Sequence, residues 1–445
     1  MKKYFVPALI IALSVNIFAQ FDQYPREGQG RISGGFGLNW IDGSPYYTFH
    51  LTPEVSFANF GVGLDLRLDI DQQGNLRKED FNEASDYLSI IRYIRYGLKN
   101  DPVFIKLGAL DYYTLGHGSI MYLYNNSPSL DARKIGLVLD IDFGKFGFES
   151  IYSHFAEAGV FGFRGYVRPL QFSGAGNIPI LGNMEVGATY AGDSNPNAGI
   201  LNGSYDAVQN KFDITQDDGS INIIGLDVGF PILRTGIFNA TLYTDFTKII
   251  NFGSGAATGV LMNFNPLGLI TASAKLERRF NGKQYIPSYF NSFYEIERFN
   301  ANPFKSKIQG LKSLTNPDNG YYGELMVNAV NLVTVLGSYQ RLDKTPNSGI
   351  LHIGTSIEPE GAPFILRAGY DKIGMGSETA IFKLDDKSYL YSEIGYKPVP
   401  YIIVSMVYSW TFSPVRNSND DIIGYQPQKR IEPRISFVFP LDFGP

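Results

Sequence analysis

The feature that most limits what this chain can fold into is a strict alternation of apolar and polar residues that recurs along it. Between residues 60 and 70, the even positions from Val62 to Ile70 are apolar and the odd positions are glycine or charged. Successive side chains of a strand point to opposite faces, so this pattern predicts a two-faced strand. We count about 16 strands, with a range of roughly 14–18. Clear runs begin near residues 60, 135, 270, 364 and 402, and weaker ones near residues 32, 47, 103, 224, 238, 351 and 390.

Two all-β architectures contain such strands, a soluble sheet protein and a membrane-spanning barrel. Soluble strands are typically about five or six residues long, whereas a tilted bilayer crossing needs about ten, which most runs here approach. The polar face carries Gly, Ser, Thr and charges of both signs, as a watery lumen would, and Phe and Tyr lie near strand ends. No blade or coil repeat of a propeller or β-helix is present. The sequence therefore favours an all-β fold, a transmembrane antiparallel up-and-down β-barrel.

The composition of the 445 residues agrees with this fold and excludes several functions. Charged residues make up 18% of the chain and aromatic residues 14%, against a usual charged share of about 25%. The absence of cysteine excludes disulfides, thiolate catalysis and cysteine-based metal centres. A net charge of −5 argues against a nucleic-acid partner. The mean hydropathy is −0.08, and no apolar run beyond residue 20 is long enough for a transmembrane helix.

The N-terminus has the pattern of a secretory signal peptide. Two lysines precede an apolar run at residues 6–15, and a plausible cleavage site follows at Ala19. The alternative is a buried N-terminal helix, which the full three-part pattern disfavours. We therefore expect residues 1–19 to be removed and residues 20–445 to form a single outer-membrane barrel domain.

The C-terminus predicts the last strand of a barrel. Residues 434–443 alternate, and their apolar face ends in a near-terminal phenylalanine. Such a strand is similar to the one by which the barrel-assembly machinery recognises outer-membrane barrels. Pro440 requires a bulge or a strand end, because proline cannot donate a hydrogen bond to the sheet.

Charged residues on the polar faces of the strands are the candidate pore lining. A charge that faces lipid near the bilayer midplane is costly, so these side chains should face the lumen. There they either line a water-filled pore or pair into a salt-bridged network that plugs a narrow barrel. A barrel of about 16 strands has a wide lumen, which favours the channel, and the mixed signs predict weak ion selectivity. The candidate pore-lining residues are Asp65, Arg67, Asp69, Lys106, Asp140, Asp142, Lys275, Glu277, Arg279 and Arg367.

Residues 281–319 form the longest stretch without clean alternation, and they are rich in aromatic residues. A loop this long in a compact fold is usually functional or disordered, and its aromatic content favours packing. We expect it to fold into the barrel as a constriction or partial plug; the alternative is an extracellular loop over the rim. The candidate constriction residues are Tyr294, Glu295, Glu297 and Arg298.

A metal or catalytic site finds little support in the sequence. Residues 69–75 resemble a calcium loop, but Gln73 and Asp80 replace the expected ligands and no helices flank the segment. The four histidines are scattered, and no nucleophile elbow is present. His117 lies between two glycines, where a tight turn explains it better than catalysis. We therefore predict no enzyme, no catalytic or metal-binding residue and no cofactor.

Two parts of the chain resemble porin-like outer-membrane β-barrel proteins of Gram-negative bacteria. The first comprises residues 93–97 (YIRYG), 101–108 (DPVFIKLG) and 114–118 (TLGHG). The second comprises residues 285–290 (YIPSYF) and 294–299 (YEIERF). The resemblance implies a location in the cell outer membrane, a β-barrel fold and a transport role, and it implies no particular solute.

These observations predict a porin-like channel for passive diffusion of small hydrophilic solutes. One alternative is a transporter of hydrophobic compounds, plugged by residues 21–29 or 281–319. The other alternative is a structural or assembly component of the envelope without transport. The expected partners are outer-membrane lipid, the barrel-assembly machinery and small solutes, and a homotrimer is a common assembly for porins of this size.

Overall fold

The described part of the computed structural model is a closed antiparallel barrel. It comprises residues 24–25, 28–78, 81, 87–99, 101–266, 270–329, 332–357, 363–376 and 381–442. Each barrel strand pairs with the next one along the chain, and the first strand pairs with the last, Gly30 lying opposite Leu441. The sheet therefore has no free edge, which is what a strand-built membrane protein requires. None of the helices in these residues is long and apolar enough to cross a bilayer.

The wall of the barrel is formed by long strands. They are β1 (Gln29–Ile41), β2 (Ser44–Phe57), β3 (Phe60–Leu64), β4 (Leu66–Ile70), β5 (Ile91–Tyr96), β6 (Val103–Gly108), β9 (Gly136–Asp142), β10 (Phe146–Tyr152), β11 (Val160–Val167), β12 (Glu185–Asp193), β15 (Ile221–Arg234), β16 (Phe238–Ile249), β17 (Ser254–Phe264), β18 (Ile270–Asn281), β21 (Asp318–Ala329), β22 (Val333–Leu342), β23 (Gly349–Ile357), β24 (Phe364–Met375), β25 (Ser388–Val399), β26 (Ile402–Arg416) and β27 (Ile422–Asp442). Because β3 and β4 both pair with β2 and are separated only by Asp65, they are one strand, and the described barrel has 20 strands.

Smaller elements lie in the connections between barrel strands. Three short hairpins are β7 (Tyr113–Leu115) with β8 (Met121–Tyr124), β13 (Ile200–Asp206) with β14 (Lys211–Asp217), and β19 (Phe299–Ala301) with β20 (Phe304–Ser306). Short α-helices span Tyr294–Glu297 and Lys307–Ser313, and 3₁₀ turns span Pro169–Phe172, Gly174–Asn177 and Leu181–Asn183.

The two faces of the wall differ in chemistry, as strand β18 illustrates. Its side chains Lys275, Glu277 and Arg279 are buried inside the barrel, and the alternating Leu276 and Phe280 are about half exposed on the outside. This is the reverse of a soluble protein, in which the apolar face is buried. An apolar exterior around a polar interior is the pattern of a transmembrane β-barrel.

The two ends of the barrel carry connections of different length. The end that holds both described termini has mostly short turns, such as the one between β25 and β26. The opposite end has the long connections, including residues 71–90, 109–135, 194–220 and 282–317. In outer-membrane barrels the short turns are periplasmic and the long loops are extracellular, which orients this molecule.

The prediction of about 16 strands is wrong, since the described barrel has 20. Strand β17 shows the reason, because three of its five inward positions, Gly255, Ala257 and Gly259, are glycine or alanine rather than polar residues. A Cβ on Gly255 would overlap the ring of Tyr285, and one on Gly259 would approach the Tyr243 hydroxyl. Small inward residues leave space for aromatic side chains inside the barrel, and they remove the polar half of the alternation.

Pro440 lies close to the end of β27. Its position faces Arg31 of β1, but it is beyond Phe437, the last residue of β27 paired with β26. The missing N–H therefore costs little there. Residues 1–19, the predicted signal peptide, and most of residues 21–29, the alternative plug, are outside the described residues.

Candidate functional site

Two long connections from the extracellular end pack inside the barrel. We call residues 109–135 the first inner loop and residues 282–317 the second inner loop. They are joined by a parallel bridge between Met121 and Phe290, and the Phe290 amide donates to the Ile120 carbonyl at 3.1 Å. Aromatic and aliphatic side chains from both loops form one buried cluster with inward residues of the wall. Its members from the loops include Tyr113, Leu115, Met121, Tyr124, Tyr289, Phe290, Tyr294, Ile308 and Leu311.

A buried group of charges attaches the second inner loop to the wall. Arg298 donates from Nε to Asp193 of β12 at 2.6 Å and from a terminal nitrogen to Glu295 at 2.9 Å. Tyr294 donates its hydroxyl to the same Asp193 at 2.7 Å. Lys134 and Tyr124 of the first inner loop both donate to Glu295. Three of the four predicted constriction residues, Tyr294, Glu295 and Arg298, therefore meet at one point between the two loops and the wall.

The electrostatics of this group depend on Glu295. Burial raises the pKa of the Glu295 carboxyl, but the charges of Arg298 and Lys134 outweigh it and lower the pKa from 4.5 to about 2. The carboxylate is therefore ionised at neutral pH. The fourth predicted constriction residue, Glu297, is only partly buried and pairs with Lys307 at 2.6 Å.

The predicted pore-lining residues on β18 belong to a compact network. Glu277 contacts Lys275 at 3.0 Å and Arg279 at 2.7 Å, and it accepts the Tyr243 hydroxyl at 2.6 Å. The Lys275 ammonium lies 4.4 Å from the ring centroid of Tyr122 in the first inner loop. These charges are thus enclosed between the wall and the loop.

The predicted residues on β4 and at its start form a second network. Arg67 contacts Asp69 at 3.0 Å and Glu432 of β27 at 3.0 Å. Asp65, between β3 and β4, contacts His50 at 2.7 Å and Arg133 of the first inner loop at 3.0 Å. The wall and the first inner loop are therefore linked by ion pairs here as well.

The remaining predicted pore-lining residues are divided among other strands. Asp140 pairs with Lys99 at 2.6 Å, Asp142 with Arg168 at 2.9 Å, and Arg367 with Glu393 at 3.1 Å. Lys106 is buried and lies 5.8 Å from the ring centroid of Tyr24. Nine of the ten predicted residues, all except Lys106, thus appear in the ion pairs described above.

Two cavities lie toward opposite ends of the barrel. The terminus-side cavity has a volume of about 200 Å³ and is lined by charged residues of both signs, including Lys99, Asp140, Glu149, Arg164, Arg168 and Glu185. The loop-side cavity has a volume of about 590 Å³ and is lined by residues that include Lys134, Glu157, Glu295, Arg298 and Tyr425. The packed inner loops contribute residues to both cavities, His117 to the first and Glu295 to the second.

A third cluster was not found from the sequence. His117 is at a turn of the first inner loop between Gly116 and Gly118, whose φ angles are +57° and +95°. Its imidazole lies near two carboxylates of the wall, Asp227 of β15 and Asp245 of β16, and the three ligand atoms are within 4.8 Å of one another. Burial and the Arg164 charge lower the pKa of His117 from 6.5 to about 4, so the ring is neutral at pH 7.

The sequence contained only part of the signal for this cluster. Weak alternation near residues 224 and 238 indicates strands that would place Asp227 and Asp245 on polar faces. Their register, which puts the two directly opposite each other, depends on how the strands pair. The segment whose resemblance to a calcium loop is poor begins at Asp69, which points into the barrel wall network, and Asp80 lies outside the described residues.

The chain was compared with protein families, curated proteins and solved structures. No protein-family model and no curated protein matches the chain. Similar solved structures include OccK11 (OpdR) of Pseudomonas aeruginosa, 10% identical with a TM-score of 0.32, covering 93% of this chain and 95% of that one. The outer membrane protein OpdK of the same species is 10% identical with a TM-score of 0.33, covering 93% and 98%. OccAB3 of Acinetobacter baumannii is 11% identical with a TM-score of 0.30, covering 93% and 98%.

The fold class itself follows from the geometry of this chain. A closed antiparallel barrel, an even count of 20 described strands and an apolar exterior are the properties of outer-membrane barrels. The chain therefore has the fold of a transmembrane β-barrel of the outer-membrane type.

Proposed function

We propose that this protein is an outer-membrane channel for passive diffusion of small hydrophilic solutes. The observation that carries the proposal is the pair of charged cavities toward opposite ends of one closed barrel, with two inner loops packed between them. A solute that crosses the membrane would enter one cavity, pass the inner loops and leave by the other. The protein contributes a fixed polar path and no chemical step.

The charges of the terminus-side cavity support a hydrophilic solute. Arg164 and Glu185 are 2.9 Å apart there, and Arg168 contacts the same Glu185 at 3.0 Å. A hydrophobic solute would displace water from these charges without replacing their hydrogen bonds, which is costly. A polar solute can exchange hydrogen bonds with them. The mixed signs favour weak selectivity between anions and cations.

The second inner loop is the proposed constriction. Glu295 and Arg298 of this loop line the loop-side cavity and also hold the loop to β12. The aromatic residues Tyr289, Phe290 and Tyr294 fill the space behind them. In this arrangement the loop reduces the cross-section of a 20-strand barrel, whose lumen would otherwise be wide.

The test is the permeability of the refolded protein. We expect discrete ohmic steps in planar bilayers, and swelling of proteoliposomes in sugars at rates that fall as the sugar becomes larger. Liposomes that received heat-denatured protein are the control. Folded protein that gives no conductance and no swelling would contradict the proposal, and saturable binding of fatty acid by a non-conducting barrel would favour the hydrophobic transporter.

Three expected associations of this barrel remain proposals of the same kind. The apolar outer face and the paired C-terminal strand are what outer-membrane lipid and the assembly machinery would contact. A homotrimer is the proposed assembly, and the mass of the protein in a mild detergent measures it.

A further inference from the structure

The cluster of His117, Asp227 and Asp245 has features that the proposed channel does not use. Asp227 and Asp245 are directly opposite each other on β15 and β16, with both side chains on the inner face. Like charges at directly opposed positions of a sheet repel each other. A third ligand type, the His117 imidazole, is brought to the same point by the first inner loop.

Asp245 is a buried carboxylate whose charge has no counter-ion. Its residue is 4% exposed, and one carboxylate oxygen accepts the Ser119 hydroxyl at 2.5 Å. The other oxygen, Oδ1, has no hydrogen-bond partner. Among the residues that the structure describes, no lysine or arginine lies within 4.0 Å of Asp245, in contrast to the paired carboxylates around it. A buried carboxyl group in this state is stable when it binds a proton or when a cation approaches it.

His117 presents a second buried atom without a partner. Its Nε2 makes no hydrogen bond and lies 3.7 Å from Oδ1 of Asp227. Neighbouring ligands of a tetrahedral zinc ion with bonds of about 2.1 Å are separated by roughly 3.4 Å. The spacing is therefore close to the edge of a tetrahedral metal site. A small cavity of about 20 Å³ is lined by the same three residues together with Ser119.

We propose that His117, Asp227 and Asp245 bind one divalent transition-metal ion of the zinc type inside the barrel. One imidazole and two carboxylates are a donor set that suits zinc and its neighbours. The fourth position is open to water. The ion would neutralise the two opposed carboxylates and would connect the first inner loop to β15 and β16.

Surrounding contacts hold the three ligands in place, as the outer contacts of a metal site usually do. The His117 ring stacks on Tyr243 with a centroid distance of 4.2 Å and an angle of 9°. Arg164 holds Asp227 through hydrogen bonds of 2.9 and 2.6 Å. The Ser119 hydroxyl orients Asp245.

The nearby cations do not cancel the negative charge of the cluster. Arg164 contacts Glu185 at 2.9 Å and Glu149 at 4.0 Å as well as Asp227. Lys275, which donates to the His117 carbonyl, is paired with Glu277 at 3.0 Å. Of the two opposed carboxyl groups, Asp227 is thus paired with Arg164, and Asp245 is the one that has no cation beside it.

The experiment measures Zn²⁺ binding to refolded, full-length mature protein without a polyhistidine tag. After treatment with a chelator and its removal, Zn²⁺ is titrated by calorimetry in detergent. We expect one equivalent to bind to wild type, and roughly 100-fold weaker binding in His117→Gln and Asp245→Asn. His154→Gln is the matched control, because His154 is another loop histidine outside the cluster, and it should bind like wild type.

A second measurement keeps the test valid if a variant folds poorly. Co²⁺ added to wild type should produce the visible absorption of a tetrahedral site, and Zn²⁺ should displace it. Wild type that binds no Zn²⁺, or folded His117→Gln and Asp245→Asn proteins that keep the full equivalent, would overturn the proposal. Binding lost in the His154→Gln control instead would also overturn it. None of these measurements depends on conductance, so failure of the channel proposal is distinguishable from failure of this one.

Discussion

Replacement of Arg298 by alanine should release the second inner loop from the barrel wall. The Arg298 guanidinium is 7% exposed and is shared between Asp193 at 2.6 Å and Glu295 at 2.9 Å. Without it, Asp193 keeps the Tyr294 hydroxyl and Glu295 keeps Lys134, but the cation that joins Glu295 of the loop to Asp193 of β12 is lost.

The size of the effect follows from the burial of these charges. Removal of one partner from a buried ion pair typically costs about 3–5 kcal/mol, because the other charge stays buried without compensation. About 1.4 kcal/mol corresponds to a tenfold change in an equilibrium constant. The open state of the second inner loop should therefore gain population by a factor of roughly 10² to 4 × 10³.

Hydrogen exchange followed by mass spectrometry reports this opening directly. The Phe290 amide, which bonds to the Ile120 carbonyl, and the Arg298 amide, which bonds to the Tyr294 carbonyl, are buried reporters within the loop. Peptides from residues 287–313 should exchange about 10² times faster or more in the variant, and peptides from β18 should not change. If the loop is the constriction, mean single-channel conductance rises as well.

The matched control is Arg278→Ala. Arg278 also forms a two-point ion pair, with Asp343 at 2.6 and 3.1 Å, but on the exposed outer side of the wall. Exposed pairs contribute little, so exchange in the loop and conductance should match wild type. Unchanged exchange in Arg298→Ala, or an equal increase in the control, would refute the assignment of Arg298 as the anchor of the loop.

Three further predictions concern the inner loops. Acidification should weaken the attachment of the second inner loop, because the pKa of Glu295 is about 2 against an ordinary 4.5. The stabilisation by Glu295 is complete above pH 4.5 and is lost as the pH falls toward 2, and hydrogen exchange of the loop measured against pH reports it. Asp131→Asn should lower the melting temperature, since Asp131 is buried between Arg77 and Arg430, and an unchanged value would contradict its role. Gly118→Ala should disturb the first inner loop, because φ is +95° there and a Cβ would overlap the Tyr122 ring; fluorescence or exchange identical to wild type would contradict this.

The strands with apolar residues at every second, lipid-facing position could be predicted from the local sequence pattern alone. Each strand must place apolar side chains toward lipid at every second position, so strands such as β18 and β26 are visible in the sequence. Strand β17, whose alternation is weak in the sequence, has small residues on the inward side at Gly255 and Gly259. Each of these positions accommodates an aromatic side chain from another part of the chain. The few residues around the glycine do not reveal that neighbour.

The interior could be predicted only in part, because its partners are far apart in the chain. The charged faces were visible, but the partner of each charge was not: Arg67 contacts Glu432, and Arg298 contacts Asp193. These contacts depend on closure of the barrel and on the path of the inner loops. For the same reason, the pairing of His117 with Asp227 and Asp245 was not predicted.

The sequence by itself determined that the chain is a strand-built membrane barrel, because each strand residue that faces lipid must be apolar and this requirement is visible in the alternation. Only the tertiary structure decided that the barrel has 20 strands, that the two inner loops meet at Met121 and Phe290, and that two carboxylates face each other beside His117. The physical reason is that lipid contact is a local property of a strand. Strand number, loop path and the environment of a buried charge are properties of the closed barrel as a whole.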